Sequence, residues 1–550
     1  MSDSLRITGG KVYDPANGID GVIRDVLVAD GRVVSALPQN ALPRTIDARG
    51  MVIMPGGVDI HCHIASSVVN RARMMQGEEH ATHVHAADCR HGCEFRGGSG
   101  VLTPSTFTTG YRYAALGYTT ALEAAVSPSG ARQTHLELAD TPNLDAGFLL
   151  LLANHQAVIE MLDRNDKAGV CSLIAHMLRK TGAHGIKVVN PGGVADWRHD
   201  PAHLTVEGID QAVAGTRVTP RKILEAMSDA AEALKLPHAP HVHCNRLGLP
   251  GNITTTLDTL RALDGRRLHL THLQFHAYGK TAKSDFTSAA GELMDYFNTH
   301  THVSADTGQV MFGDAFTLTG DTPLEYLLWK LTGKRYVSIE SELESGCGLM
   351  PIRYDDKHYL HSLQWAIGLE LMLMAGDPWR MLLSTDHPNG GSFLTYPTII
   401  AALMSKARRD ELIARAHPRA MRNSKLRDLT REYSLNEIAI ITRAGPAKVL
   451  GLKHKGHLAP GADADLTLYH DKPDNAQTMF ESPRYVIKAG RVLVEDGELR
   501  ASVPGGKFCA ALQPDERGAA ELGRWFDHHG SYSVNQFGLH DHERSAMRQV

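Results

Sequence analysis

Between residues 58 and 386 the chain carries eight short apolar runs: VDIHCHI (58–64), YTTALEAAV (118–126), GFLLLLA (147–153), GIKVV (185–189), PHVHC (240–244), LHLTHL (268–273), HTHVSA (300–305) and MLLSTD (381–386). Each is too short for a buried helix and reads as a strand covered on both faces. Helical patterns such as RKILEAMSDAAEAL (221–234) and PLEYLLWKL (323–331) lie between them. Strand–helix alternation of this kind calls for a parallel sheet clad in helices, and eight strands is the number that closes a (β/α)8 TIM barrel. The expected class is therefore α/β.

Outside the barrel pattern the chemistry of the segments changes. LRITGGKVYD (5–14), VIRDVLVADGRVVSAL (22–37) and TIDARGMVIM (45–54) alternate and are punctuated by Gly-Gly and Asp-Gly, as are GHLAPGADADLTLYH (456–470) and RYVIKAGRVLVEDGEL (484–499). These are antiparallel signals. The two chain ends are expected to form one small composite β domain, from residues 1–55 and 446–502, with the barrel at 56–445 inserted between them. Residues 503–550, rich in Gly and His, read as an irregular C-terminal tail.

The 550 residues carry a formal charge of −4 and no basic block, which argues against a nucleic-acid or membrane-surface partner. The start, MSDSLRITGGKVYD, has no apolar core of a secretory signal, and no apolar stretch approaches the ~20 residues of a membrane span. Seven cysteines without a framework suit a reducing compartment. The expected location is cytoplasmic. Arg outnumbers Lys about two to one, unlike the Lys/Glu enrichment of hyperthermophile proteins.

Six residues at or near the ends of strand candidates carry the chemistry: His61, His63, Lys187, His243, His272 and Asp386. His61 and His63, two apart on a strand, point to the same face, and barrels of this kind build their sites at the C-terminal strand ends. Lys187 sits inside an apolar run, where an ammonium is costly; burial favours the neutral amine, which reacts with CO₂ to give a carboxylate able to bridge two cations. Four imidazoles, such a carbamate and Asp386 make a dinuclear site, with zinc favoured by the N and O ligands. Paired cations generate hydroxide at neutral pH, and Asp386 is placed to take a proton and deliver it to a leaving nitrogen, so amide or imide hydrolysis is the expected reaction class. His241, His269 and His276 compete with His243 and His272 for the ligand roles, and spacing does not choose among them. Each residue also has an ordinary structural reading: core histidines, a snorkelling lysine, a turn-capping aspartate.

The order HxH, Lys, His, His, Asp with β segments at both ends resembles the amidohydrolase superfamily of dihydropyrimidinases and dihydroorotases. A more specific resemblance runs through NRARMMQGEEH (70–80), TPSTFTTGYRYAALGYTTALEAAVSP (103–128), HLELADTPNLDAG (135–147), KVVNPGG (187–193), THLQFHAYG (271–279) and SADTGQV (304–310). These segments look like the A subunit of formylmethanofuran dehydrogenase and of the bacterial formyltransferase/hydrolase complex. The resemblance implies an amidohydrolase-type barrel that hydrolyses N-formylmethanofuran to formate and methanofuran in one-carbon metabolism. In a methanogen the implied reaction is instead condensation of formate with the amine. It implies two Zn²⁺ bridged by N6-carboxylated Lys187. The implied partners are a formyltransferase subunit, a molybdopterin-type subunit, and with them a β-helical subunit. The Arg-rich composition tilts the reading toward the bacterial complex. Under the resemblance, Asn70, Arg73 and His80 on the loop after the first strand, Asn190 after Lys187, and Asp306 at the end of the seventh strand become candidates for substrate binding. The alternative is a free-standing cyclic amidohydrolase of the hydantoinase or dihydropyrimidinase type. His83, His85, Cys89, His91 and Cys93 form a further cluster that lacks the CxxC pairs of common zinc modules.

Overall fold

The computed structural model describes residues 4–75, 106–200, 202, 203, 206, 208–282, 285–339, 343, 344, 346–513 and 515–550. Its centre is an eight-stranded parallel sheet in sequential order: Gly57–Cys62, Tyr118–Val126, Asp145–Leu151, Gly185–Val189, His241–His243, Leu268–Leu270, Val303–Asp306 and Met381–Leu382. All eight strand expectations fall on it. The sheet comes round on itself through a parallel bridge between Cys62 and His387, with the His63 amide donating to the His387 carbonyl at 2.7 Å. The barrel is nearly closed rather than laddered throughout, because the last strand pairs only over Met381–Leu382 before turning out of the sheet.

The helices between the strands begin where side chains can satisfy their first amides. Thr219 accepts from the Lys222 amide ahead of the helix Pro220–Ala233, whose apolar positions are buried against the barrel. Asp321 caps Thr322–Thr332 in the same way, with Pro323 in the first turn. The stretch between the seventh and eighth strands is long, and it folds into a three-stranded antiparallel sheet of Gly313–Thr319, Val337–Ile339 and Cys347–Tyr354. This sheet and the helix Thr322–Thr332 stand over the C-terminal mouth of the barrel and wall its cavity.

Strands from both chain ends build a separate nine-stranded sheet, in which Met51–Pro55 lies antiparallel to Leu466–His470. A buried charge cluster fastens this sheet to the barrel. The Lys455 ammonium meets Asp145 of the third barrel strand, Asp465 at 2.6 Å and Asp463 at 2.9 Å, and Lys488 reaches Asp145 at 2.9 Å.

The C-terminal tail differs from the irregular appendage expected. It contains the helix Glu516–His529, with Leu522, Trp525 and Phe526 buried and the Trp525 indole donating to Glu160 at 2.8 Å. Apolar residues at i, i+3 and i+4 give the helix one sticky face, a signal hidden by the Gly- and His-rich flanks. Phe508–Cys509 pairs with Arg548–Gln549, so the tail returns on itself. Among the described residues no helix is long and apolar enough to cross a membrane.

Candidate metal centre

All six predicted ligand positions converge on one cavity of about 500 Å³ at the C-terminal end of the barrel. None of the six is more than 6% exposed. His61 and His63 project from the end of the first strand. His61 Nε2 comes within 2.9 Å of Asp386 Oδ1, and His63 Nε2 within 3.2 Å of the same oxygen. Yet His61 Nε2 has no hydrogen-bond partner: proximity without hydrogen-bond alignment is what donors converging on a shared ion display. The sets His61, His63, Asp386 and His61, His241, Asp306 are each compact enough for one ion.

The rings are held by partners on their far sides. His63 Nδ1 donates to Glu123 at 2.9 Å, which turns Nε2 toward Asp386. Glu123 also accepts from the backbone amides of Ile64, Ala65 and Ala125, so it fixes both the ring and the turn that carries it. His243 Nε2 donates to Asp321 at 3.3 Å, and Asn190 donates to the other oxygen of Asp321 at 2.9 Å. The His272 ring lies 4.9 Å from that of His243 and 5.4 Å from that of His61, centroid to centroid, and its Nδ1 is buried without a partner.

Lys187 is the most unusual group. Its ammonium nitrogen is buried and has no hydrogen-bond partner. Burial pulls its pKa down to about 8, against the attraction of Asp386, Asp306 and Glu123. Burial would raise Asp386, but His61 and His272 outweigh it and hold the carboxylate well below its ordinary range. Burial would likewise depress His63, yet Asp386 and Glu123 push it up to about 9. Three buried carboxylates (Glu123, Asp306 and Asp386) thus bear on one amine, and a fourth, Asp321, lies behind His243. A dry site with that excess of negative charge needs imidazolium or cations to balance it.

Backbone strain accompanies the function. Asn190, His272 and Asp386 all sit at positive φ, of 40°, 35° and 50°. Such conformations cost non-glycine residues on the order of 1–3 kcal/mol and persist where surrounding packing enforces them. Gly308, itself at φ +60°, is part of that packing, since a Cβ there would lie 2.3 Å from the His272 Cβ.

The remaining predicted residues are placed differently. Asp306 is not on the cavity wall. Its carboxylate lies below, accepting from His269 Nε2 at 3.1 Å, the His272 amide at 3.0 Å and the Ser384 hydroxyl. In that position it anchors His269 and the His272 backbone. Asn190 is turned toward Asp321 and Asn245 and also stays off the wall. Asn70 pairs with Glu137 and Arg73; Arg73 donates to the Ile64 carbonyl and borders a separate small cavity of about 50 Å³ that also touches His63. His80 and the cluster from His83 to Cys93 lie outside the described residues. Of the competing histidines, His241 and His269 lie deeper and do not line the cavity, as His243 and His272 do. His276 stacks on His272 with both ring nitrogens unpartnered, and it too is off the wall.

Two residues escaped sequence reasoning. Glu123 had a signal, a lone carboxylate inside an apolar strand run. Asp321 reads only as a helix cap, and nothing local connects it with His243. Above the polar floor the cavity is apolar, walled by Phe275, Phe286, Leu324, Leu328, Ile352 and Tyr354.

A model of the amidohydrolase family matches residues 44–494. The chain belongs to the amidohydrolase family. This amidohydrolase is 40% identical over 517 residues to the A subunit of the formyltransferase/hydrolase complex Fhc of Methylorubrum extorquens, covering 93% of the present chain and 92% of the other. It is 39% identical over 566 residues to protein FwdA of Methanocaldococcus jannaschii, covering 99% and 98%. Its fold superposes with a TM-score of 0.92, at 37% identity and 99% coverage of both chains, on a chain of the Methylorubrum extorquens formyltransferase/hydrolase complex FhcABCD, whose crystal structure contains methylofuran.

Proposed function

We propose that this amidohydrolase hydrolyses the formamide bond of an N-formylated methanofuran-type amine, giving formate and the free amine, within a formyltransferase/hydrolase complex. The observation that carries the reading is the convergence of His61, His63, Lys187, His243, His272 and Asp386 on one buried cavity, in a chain that matches the Fhc relative over nearly its whole length. The alternative reading, condensation of formate with the amine, makes the same bond and would use the same residues.

The residues fit a pair of zinc ions, which Lys187 would help to hold once carboxylated. The lysine nitrogen is buried and unpartnered, and its pKa near 8 leaves a usable fraction of neutral amine for reaction with CO₂. His61, His63, His243, His272 and Asp386 would supply the other ligands. Once bound, the cations would polarise a carbonyl and lower the pKa of water toward about 7. The rest falls to the chain. Asp386 would take the proton of the attacking water and pass it to the leaving nitrogen. Asn389 donates to its Oδ1 at 3.0 Å and holds it in place for both transfers. Glu123 and Asp321 would keep the His63 and His243 rings in register. The apolar wall would pack the body of the amine and keep bulk water from the formyl carbon.

The test has two parts. Native purification with mass identification of co-eluting chains is expected to return a formyltransferase together with a molybdopterin-type protein, with about two zinc equivalents on this chain. The complex should release formate from the N-formylated amine, and Asp386→Asn should abolish that release while the complex still assembles. A lone homo-oligomer that opens cyclic diamides instead would overturn the proposal, as would full formate release by Asp386→Asn.

A further inference from the structure

Below the cavity floor two histidines continue inward from His61. His241 Nε2 lies 2.9 Å from His61 Nδ1, and His238 Nε2 lies 3.0 Å from His241 Nδ1. The row ends at a backbone group: His238 Nδ1 is 3.0 Å from the Val449 carbonyl oxygen. All three rings are completely buried. The carboxylate nearest to His238 or His241 among the described residues is Asp306, 3.7 Å from His241 Nε2 and beyond hydrogen-bond reach. An imidazolium at His238 or His241 would be a buried charge without a bonded counter-ion, so each of these two rings carries a single proton.

That proton count fixes every tautomer. A carbonyl oxygen only accepts, so His238 Nδ1 bears the hydrogen and its Nε2 is bare. The bare Nε2 accepts from His241 Nδ1, which leaves His241 Nε2 bare in turn. That nitrogen accepts from His61 Nδ1, so the atom of His61 left to bind an ion is Nε2, which faces Asp386 and the cavity. A neighbour agrees with a donor at His61 Nδ1: Asp306 Oδ2 at 3.3 Å.

We infer that His238 is a positioning residue: through His241 it holds His61 in the one tautomer that offers Nε2 to a metal ion, with the Val449 carbonyl as the fixed end of the relay. The inference rests on the metal-centre reading of the site. Neither His238 nor Val449 touches the cavity, and the effect passes only through the direction of three hydrogen bonds.

Two substitutions separate this role from packing. His238→Phe keeps a flat ring and removes the acceptor for His241 Nδ1. His238→Gln alters the shape, but its amide oxygen accepts from His241 and its NH₂ group donates to the carbonyl. If the relay operates, His238→Phe loses about 10–100-fold in Zn²⁺ affinity, measured on the full chain by competition with a chelator, while His238→Gln stays close to the wild type. The Co²⁺-substituted spectrum should shift in the Phe variant alone. Equal loss in both variants, or wild-type affinity in His238→Phe, overturns the inference. If His238→Phe does not fold, ¹⁵N-histidine NMR of the metal-free wild type, assigned with His238→Gln, decides instead: Nδ1–H tautomers at His238 and His241 support the relay, and an Nε2–H tautomer at either overturns it. A wild-type chain that binds no Zn²⁺ overturns the metal-centre reading itself, a separate outcome from wild-type binding that His238 does not influence.

Discussion

Lys187 shows how one side chain can be poor for stability and necessary for chemistry. Its nitrogen is buried without a partner, and burying an unsatisfied amine costs free energy that a methionine of similar length does not incur. Lys187→Met is therefore expected to melt at or above the temperature of the metal-free wild type, by scanning calorimetry, while formate release falls to background. A variant that is both inactive and clearly less stable would mean that the amine has a structural partner in the fold. The lysine was conspicuous in the sequence because a charge interrupts GIKVV. Glu123 interrupts YTTALEAAV in the same way, a signal that marks it as unusual, but its pairing with His63 shows only in the fold. Asp306 is the instructive reversal. Its strand-end position suggested a substrate contact, but its side chain falls on the inner side of the site, where His61 and His269 claim it.

The helix Thr322–Thr332 links the outer wall of the cavity to the polar floor. Asp321 at its start accepts from His243 and Asn190 as well as capping the helix, so a helix terminus doubles as a support for the site. One turn on, Glu325 is fully buried with a single hydrogen bond, from Thr317 at 2.9 Å, and burial raises its pKa to about 8. A carboxyl whose folded pKa lies above its unfolded value near 4.5 binds a proton in the native state that the unfolded chain has already released. Its contribution is complete below the unfolded value and is lost as pH rises through about 8, at up to about 1.4 kcal/mol per pH unit within that window. Glu325→Gln cannot titrate. The stability difference, wild type minus variant, should therefore fall between about pH 5.5 and 8.5 in parallel urea melts. A difference that is flat or rises over this range would place the ionised carboxylate in the native state.

For the whole molecule, the question is what holds a barrel and a sheet made from both chain ends in one arrangement. The cluster around Lys455 is the visible fastening, because Asp145 belongs to the barrel while Asp463 and Asp465 belong to the segment leading into the terminal sheet. Burial would raise the Asp145 pKa, but Lys455 and Lys488 overcome it and keep the carboxylate ionised. Removing one partner of a buried ionic group strands the others, at a cost of about 3–5 kcal/mol. Lys455→Met should lose stability of that order in chemical denaturation. The double variant Lys455→Met with Asp145→Asn should recover part of it, since Asp145 and Asp465 would otherwise have to share Lys488. No recovery would show that the lysine acts through packing alone.

How much of this could be read without coordinates follows from the range of the forces involved. Strand order and the barrel were legible, because short apolar runs alternating with amphipathic helices leave few other ways to bury so much surface. The six convergent residues were legible because each sits at or near the end of such a run, and barrel geometry sends strand ends to one face. The tail helix, the Asp321–His243 contact and the histidine row down to Val449 were not. Each depends on groups far apart in the chain whose meeting is set by packing, and a hydrogen bond leaves no periodic trace in sequence. The amino-acid order by itself determined the strand order and a short set of side chains able to reach the mouth of the barrel, and packing chose His243 and His272 within that set. Tertiary structure decided which nitrogen of each ring faces inward, because a tautomer is chosen by the neighbour across the bond, and here that neighbour comes from another element of the fold.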